Sequence, residues 1–371
     1  MIAVPPHPHI DGATIEQESL PVADGVVLTL RRVRATSGRE PGPAVLLLHG
    51  HTASSDMFLL PEIRNIAEVL IDNGYEPWLL DWRGSCRLPY NENGTRFSYD
   101  DVALYDIPAA VAHIRERIGA RPLLVVAHCI GALALSMSMT AGLVPGLAGV
   151  VAQGVFLTPK MATSARLRMT VGGELLRSRF DHIPSDFRRV GLWSRYTPVF
   201  ALLSRGAGCP DPTCRFVHRA WGMGGTLFEH DHLDPRTHDR LAELLGPIPL
   251  WILPHLRQVE SEHAVVRWNE NDERYRALPE NALDHADRIA CPVLLISGSR
   301  NGLWLDSNRL CHEVLALRHP DLPLRYVEVP SYGHLDMFIG RGAAVDVFGH
   351  ILDFLAECRQ EEPVSAELTR T

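Results

Sequence analysis

Three short, unbroken apolar runs limit what this chain can fold into. They are AVLLLHG (Ala44–Gly50), PLLVVAHC (Pro122–Cys129) and PVLLISG (Pro292–Gly298). Each opens at or just after a proline and closes at a small residue. Runs this short with no polar alternation fit strands buried on both faces, as in a parallel sheet. EPWLLDW (Glu76–Trp82) adds another strand, and LRYVEVP (Leu324–Pro330) a last one. Helical spacing of apolar residues predicts helices over Met57–Asn73, over Asp100–Gly119 with Gly119 as a stop, and over Ala343–Glu357. The early SLPVADGVVLTLRRVRA places an Asp24-Gly25 turn between alternating segments and predicts an antiparallel hairpin. Strands alternating with helices predict an α/β fold: a mostly parallel central sheet flanked by helices.

The alternation fails between residues 153 and 290. This stretch is charged, proline-containing and without a clear buried strand, and it carries Trp193, Trp221, Trp251 and Trp268. It reads as a helical lid insertion, which divides the chain into core (1–152), lid (153–290) and core (291–371). With 46% hydrophobic residues, the chain has ample material for one large core. A net charge of −8 argues against nucleic acid as a partner. No apolar run reaches the ~18 residues of a membrane span. The first residues show neither a basic n-region nor an apolar h-region, so no signal peptide is expected. Seven cysteines, an odd number without a Cys-x-x-Cys pair, point to free thiols in a reducing cytoplasm. Cys209 and Cys214, in CPDPTC, are either a local bridge or two loop thiols.

Chemistry is written most densely in VVAHCIGALAL (Val125–Leu135). Ala-His-Cys-Ile-Gly has the small-x-nucleophile-x-small form of a nucleophile elbow, with strand before and helix formers after. Ala127 and Gly131 supply the small neighbours that a tight turn needs. A thiol at such a bend lies against the positive end of the following helix, which favours a thiolate. The competing reading makes Cys129 a packed core thiol. His334, in SYGHLDMF after the last strand, occupies the position of a triad base. The acid slot after PVLLISG holds Asn301, with Asp306 as the alternative acid. A thiolate beside an imidazolium already holds it charged, so an orienting amide can replace the carboxylate. The lesser reading makes Asn301 a turn residue bonding its own backbone. For the oxyanion hole, the amide of Ile130 would join that of His51 or Thr52 in HGHTASS.

One segment tempts toward metal. His230, His232 and Asp234 in EHDHLDPRTH match the start of an H-x-H-x-D-H two-metal signature, but Pro235 stands where the next histidine belongs. These side chains are better read as bonding within the lid or, for His230, His232 and Trp221, facing substrate. No metal is expected from this motif.

Together AHCIGALALSMSMTAGL, CPDPTC, GGTLFEHDHLDPRTHDRL, SGSRNGLWL and YGHLDMFIGRGAAVDVFGHIL resemble the α/β-hydrolase superfamily. More narrowly they resemble the hydrolase-like module fused behind cholesterol-oxidase-like glucose-methanol-choline oxidoreductases. The similarity runs from about Asn65 to Glu357. It implies an α/β-hydrolase fold with Cys129 as nucleophile, His334 as base and Asn301 in the acid slot. It also implies a small lipophilic acyl substrate, sterol- or polyketide-like or carrier-bound. No Gly-x-Gly-x-x-Gly follows an N-terminal strand, so no flavin and no other cofactor is expected. The chemistry expected is acyl transfer through a Cys129 thioester: hydrolysis of an ester, lactone or thioester first, passage to an alcohol or amine second. A non-catalytic ligand-binding scaffold is the remaining reading.

Overall fold

The computed structural model describes residues 9–38, 40–167, 172–186, 194–203, 208–221, 226–268 and 271–360. Its strands are β1 (Ala13–Pro21), β2 (Val27–Ala35), β3 (Ala44–Leu48), β4 (Glu76–Asp81), β5 (Leu123–His128), β6 (Gly149–Gln153), β7 (His182–Ile183), β8 (Ile248–Pro249), β9 (Val293–Gly298) and β10 (Leu324–Val329). Eight of them form one sheet in the order β1-β2-β4-β3-β5-β6-β9-β10. β1, β2 and β4 pair antiparallel, and every neighbour from β4 to β10 pairs parallel. β7 and β8 make a separate two-residue ladder.

All residues of β3, β4, β5, β6 and β9 are buried, as apolar runs without alternation require. β6 had no clear sequence signal. GVVAQ lies inside a longer, mostly apolar stretch from Gly142 to Leu157, in which Gln153 is the one polar side chain.

Two helices differ from expectation. Met57–Asn73 is not one helix: a 3-10 turn covers Ser55–Phe58, Pro61 breaks the chain, and the helix proper is Ile66–Asp72. Asn65 caps it, accepting from the Glu68 amide at 3.0 Å while the Glu68 carboxylate takes the Asn65 amide at 3.1 Å. The C-terminal helix is split into Ala343–Asp346 and Phe348–Gln360 around Val347. Asp100–Gly119 is helical to Ile118, with one π-helical stretch at Val102–Asp106.

Between β6 and β9 the chain leaves the main sheet, and its described residues there form short helices, turns and the β7–β8 ladder. Trp251 packs edge-on against Phe97, and Trp268 donates its backbone amide to Asp100. Trp193 lies outside the described residues. Among the described residues no helix is long and apolar enough to cross a membrane.

Asp81, at the C-terminal end of β4, anchors the loop that follows β3. It accepts from the Ser55 amide (2.9 Å), the Ser55 hydroxyl (2.7 Å), the Ser85 hydroxyl (2.7 Å) and the Arg31 guanidinium (3.2 Å). The carboxylate is fully buried. Burial alone would raise its pKa, but Arg31 and His49 and the Ser55 bonds win and hold it at about 2, below the usual 3.8. A depressed pKa gives stability that is complete above the unfolded value and lost as pH falls through about 2. Asp81→Asn leaves Arg31 without this counter-charge and should cost about 3 kcal/mol in urea unfolding at neutral pH. In the variant, the stability lost between wild-type pH values near 3.8 and about 2 should shrink.

Candidate active site

β5 ends at His128 and the next helix starts at Ile130, so the whole reversal falls on Cys129. Its backbone is left-handed, φ 56° and ψ −126°, which few non-glycine residues tolerate. The Cys129 amide bonds the Gln153 carbonyl at 2.9 Å, and its carbonyl accepts from the Ala132 and Leu133 amides. The small neighbours are demanded by space. A Cβ on Gly131 would sit 2.6 Å from the His49 carbonyl oxygen, and one on Gly50 would sit 2.9 Å from the Cys129 Cβ. The strand-turn-helix geometry of a nucleophile elbow is therefore present, with sulfur at its tip.

The thiol is 7% exposed and borders a cavity whose other walls include His51, His128, Ile130, Trp304 and His334. Leu227, Leu245, Leu256 and Trp221, all from the excursion between β6 and β9, also line it. Donor atoms of Cys129, His128 and His334 lie within 4.8 Å of one another. The His334 ring is also tilted over that of His128, with 4.6 Å between centroids. Cys129 and His334, 205 residues apart in sequence, thus meet at one end of the parallel strands.

Sulfur and imidazole meet as neutral partners. Burial pushes the Cys129 thiol up to about 12, although the Trp304 indole N–H and the Ile130 amide both act to lower it. The Trp304 Nε1–H donates to Sγ at 3.2 Å. Burial, then His128, hold the His334 pKa well below its usual value. Of the two expected starting states, a thiolate-imidazolium pair or a thiol that gives up its proton only on attack, burial favours the second, because desolvation disfavours both charges.

Asn301 sits beside His334 but is not bonded to it. Its Oδ1 accepts from the Leu303 amide (3.2 Å) and the Trp304 amide (3.1 Å), the self-bonding turn that was the rival reading. The amide cannot flip without setting NH2 against two N–H donors, so it is Nδ2 that is left without a partner. Among the described residues both ring nitrogens of His334 are likewise unpartnered. Gly154 is the floor beneath the two: a Cβ there would lie 2.7 Å from His334 Cε1 and 3.8 Å from Asn301 Nδ2. Asp306 is turned elsewhere, to Lys160 at 2.7 Å and to Arg309. It makes no bond to His334, so it does not serve as the alternative acid in this structure.

The loop after β3 approaches the elbow as expected. Thr52 has a left-handed φ of 63°, and among the described residues neither His51 nor Thr52 gives its backbone amide to a backbone acceptor. The His51 side chain bonds the Tyr99 hydroxyl at 3.1 Å, and burial drives its pKa down to about 3. His51 borders the cavity, and Thr52 is anchored behind it through its carbonyl, which takes the Gly246 amide at 2.7 Å.

Of the three residues expected to face substrate from the insertion, Trp221 alone reaches the cavity wall. His232 Nδ1 bonds Asp336 at 2.8 Å, and His230 Nε2 lies 3.1 Å from the Cys214 sulfur. Cys209 and Cys214 are both free. Four contributors had escaped notice in the sequence. His128 bonds the Gln153 side chain through Nδ1, and Gln153 Nε2 in turn donates to the His334 carbonyl at 3.2 Å. Trp304 touches the sulfur. Asp336, two residues after His334, accepts from the Gly333 amide (3.1 Å) and from His232, fixing the histidine loop. The GHLD string holds that signal, since a carboxylate close to a loop histidine commonly braces it.

Comparison with known proteins agrees with this architecture. Residues 45–346 match the model of the alpha/beta hydrolase family. The chain belongs to that family. It is 24% identical to mouse lipase member K over 381 aligned residues, covering 94% of this chain and 89% of that one. It is 25% identical to triacylglycerol lipase 1 of Arabidopsis thaliana, covering 91% and 86%. A thermostable carboxyl esterase from Bacillus coagulans superposes with a TM-score of 0.61 at 14% identity, covering 93% and 99%. At that identity the likeness concerns the fold. The Cys-type module and its oxidoreductase fusion do not appear among these relatives.

A neutral thiol predicts a specific labelling profile. The rate at which iodoacetamide modifies Cys129, followed by peptide mass spectrometry, should climb steadily from about pH 6 to about pH 9 without a plateau. A rate already flat near pH 6 would show a resting thiolate instead.

Proposed function

We propose that this alpha/beta hydrolase cleaves a lipophilic ester through a covalent Cys129 acyl-enzyme, with His334 as the proton carrier. The observation that carries the reading is Cys129 itself: a left-handed residue on the strand-helix bend, its sulfur facing an apolar cavity with His334 beside it. Strain of this kind, at about 1–3 kcal/mol, persists where the surroundings enforce it, and it aims the sulfur into the cavity. The names of the lipase relatives favour ester substrates, and the leucines of the cavity wall suit an apolar group.

The mechanism follows from neutral partners. Sγ attacks the carbonyl carbon while its proton passes to the facing nitrogen of His334, so the thiolate never has to exist in the dry cavity before attack. The Sγ–C bond forms and the carbonyl π pair moves onto oxygen. That oxygen rests on the Ile130 amide and an amide of the His51–Thr52 turn, an interaction commonly worth about 3–4 kcal/mol per donor in the transition state. On collapse the C–O bond breaks and His334 returns its proton to the departing alcohol. Water then repeats the sequence on the thioester: its proton goes to His334, its oxygen to the carbonyl, and Sγ leaves and is reprotonated. Trp304 steadies the sulfur as its charge grows. Asn301 acts by holding Trp304 in place through its Oδ1.

The segment between β6 and β9 acts as a lid in this scheme. Its leucines and Trp221 exclude water from the acyl-enzyme, which favours a second reading: transfer of the acyl group to an alcohol or amine. The two readings separate on product. A panel of esters of increasing acyl length, offered with and without an alcohol acceptor, should give an acyl adduct on the Cys129 peptide in intact and peptide mass spectra. Cys129→Ala should lower turnover by at least about 10³-fold with unchanged folding. Free acid as the sole product excludes transfer. Turnover that persists in Cys129→Ala, or no turnover and no adduct with any ester, sinks the acyl-enzyme and leaves a binding scaffold.

A further inference from the structure

A second cluster of reactive side chains lies outside the cavity. The Sγ atoms of Cys209 and Cys214 and ring nitrogens of His230 and His238 all lie within 4.8 Å of one another. Cys214 Sγ is 3.1 Å from His230 Nε2, and Cys209 Sγ is 3.3 Å from His238 Nε2. None of these four residues takes part in the chemistry proposed for Cys129. From this convergence we infer that the protein holds a structural zinc ion on Cys209, Cys214, His230 and His238.

The donor set and the spacing both point to zinc. Two thiolates and two imidazoles are a tetrahedral, closed set that balances the charge of a divalent ion. Zinc bonds of about 2.3 Å to sulfur and about 2.0–2.1 Å to nitrogen put neighbouring S and N donors about 3.5 Å apart. The two separations above fall close to that edge without any ion to enforce them. Two isolated Cys-His hydrogen bonds would explain each pair, but not why both pairs share one spot. Binding would release the two thiol protons to solvent and leave no position open for substrate, so the ion's role is to hold the fold.

Each donor is set by its own piece of local structure. Cys214 lies in the first turn of the helix Pro212–Ala220, where its amide bonds the Asp211 side chain at 2.8 Å. The Cys209 carbonyl accepts from Arg215 at 3.3 Å. His230 opens the 3-10 turn His230–His232, and His238 lies in the helix Pro235–Asp239, capped by Asp234. The His218 ring stacks on His230 at 5.2 Å, and Phe228 packs against His218, His230 and His238, forming an aromatic wall behind the donors. The H-x-H-x-D-H reading of this segment used the wrong partners. His230 finds two cysteines and His238, while His232 and Asp234 serve elsewhere.

The position gives the ion a task. The helix carrying Cys214 leads into Trp221 on the cavity wall. The strap preceding His230 supplies the Leu227 carbonyl that takes the His334 amide at 2.9 Å and the Leu335 amide at 3.0 Å. Zinc would bind the roof and the strap into one unit next to the histidine loop.

The test uses the full chain, purified under reducing conditions after growth with added zinc. Metal analysis should find about one zinc per chain. Replacement by cobalt should produce the intense visible bands of a tetrahedral site together with thiolate-to-cobalt charge transfer. Cys209→Ser and His238→Gln, two half-buried positions, should each weaken zinc binding at least about tenfold in competition with a chromogenic chelator. Circular dichroism confirms that each variant is folded. Cys129→Ala should keep its zinc, which separates this site from the His128–Cys129–His334 group. The inference is overturned if the reduced, folded protein takes up neither metal, if the metal survives both substitutions, or if it leaves with Cys129. A Cys209–Cys214 disulfide that persists in reductant likewise overturns it.

Discussion

The reversal of the chain at Cys129 is the constraint on which the site depends. A strand buried on both faces must turn into a helix within one residue, and the chain manages this only by accepting a left-handed cysteine. That choice fixes what may surround it. Gly131 must lack a side chain because the His49 carbonyl already fills the place, and Gly50 because Cys129 does. The His49 carbonyl is itself held by the Trp82 indole at 2.9 Å, so the loop after β3, the end of β4 and the elbow form one packed unit. Nothing in that unit leaves room for a charge to be solvated.

Burial then decides the electrostatics. Cys129, His51, His128 and His334 are buried together, and burial is the largest influence on each: it raises the thiol and lowers the three imidazoles. Burial therefore disfavours a resident ion pair among them. Asp81 is the contrast. It stays charged in the same neighbourhood because Arg31 and the Ser55 bonds reach it directly. Among the described residues His334 has no such partner on either ring nitrogen, and the amide of Asn301 turns its oxygen to its own loop.

The sequence made the scaffold readable because sheet strands buried on both faces leave continuous apolar runs with sharp ends. β3, β5 and β9 carried that mark, while β6 lost it by lying among other apolar residues. The elbow was readable because its steric demands fall on adjacent positions, Ala127 to Gly131. His334 was readable from chain order. Trp304, His128, Gln153 and Asp336 were not, since their contacts depend on how loops cross in space and no short spacing records them. The same limit hid the Cys209–Cys214–His230–His238 cluster. Its donors come from a loop, two helices and a 3-10 turn, at spacings that match no familiar finger, and the nearby His-x-His pattern drew attention to the wrong neighbours.

The segment between β6 and β9 grips the site from two sides. Gly246 bonds the carbonyl of Thr52 behind the oxyanion turn, and Leu227 bonds the backbone of the histidine loop. Any opening of this cover at those points must first break these bonds, so its movement is coupled to the shape of the loops that carry Thr52 and His334.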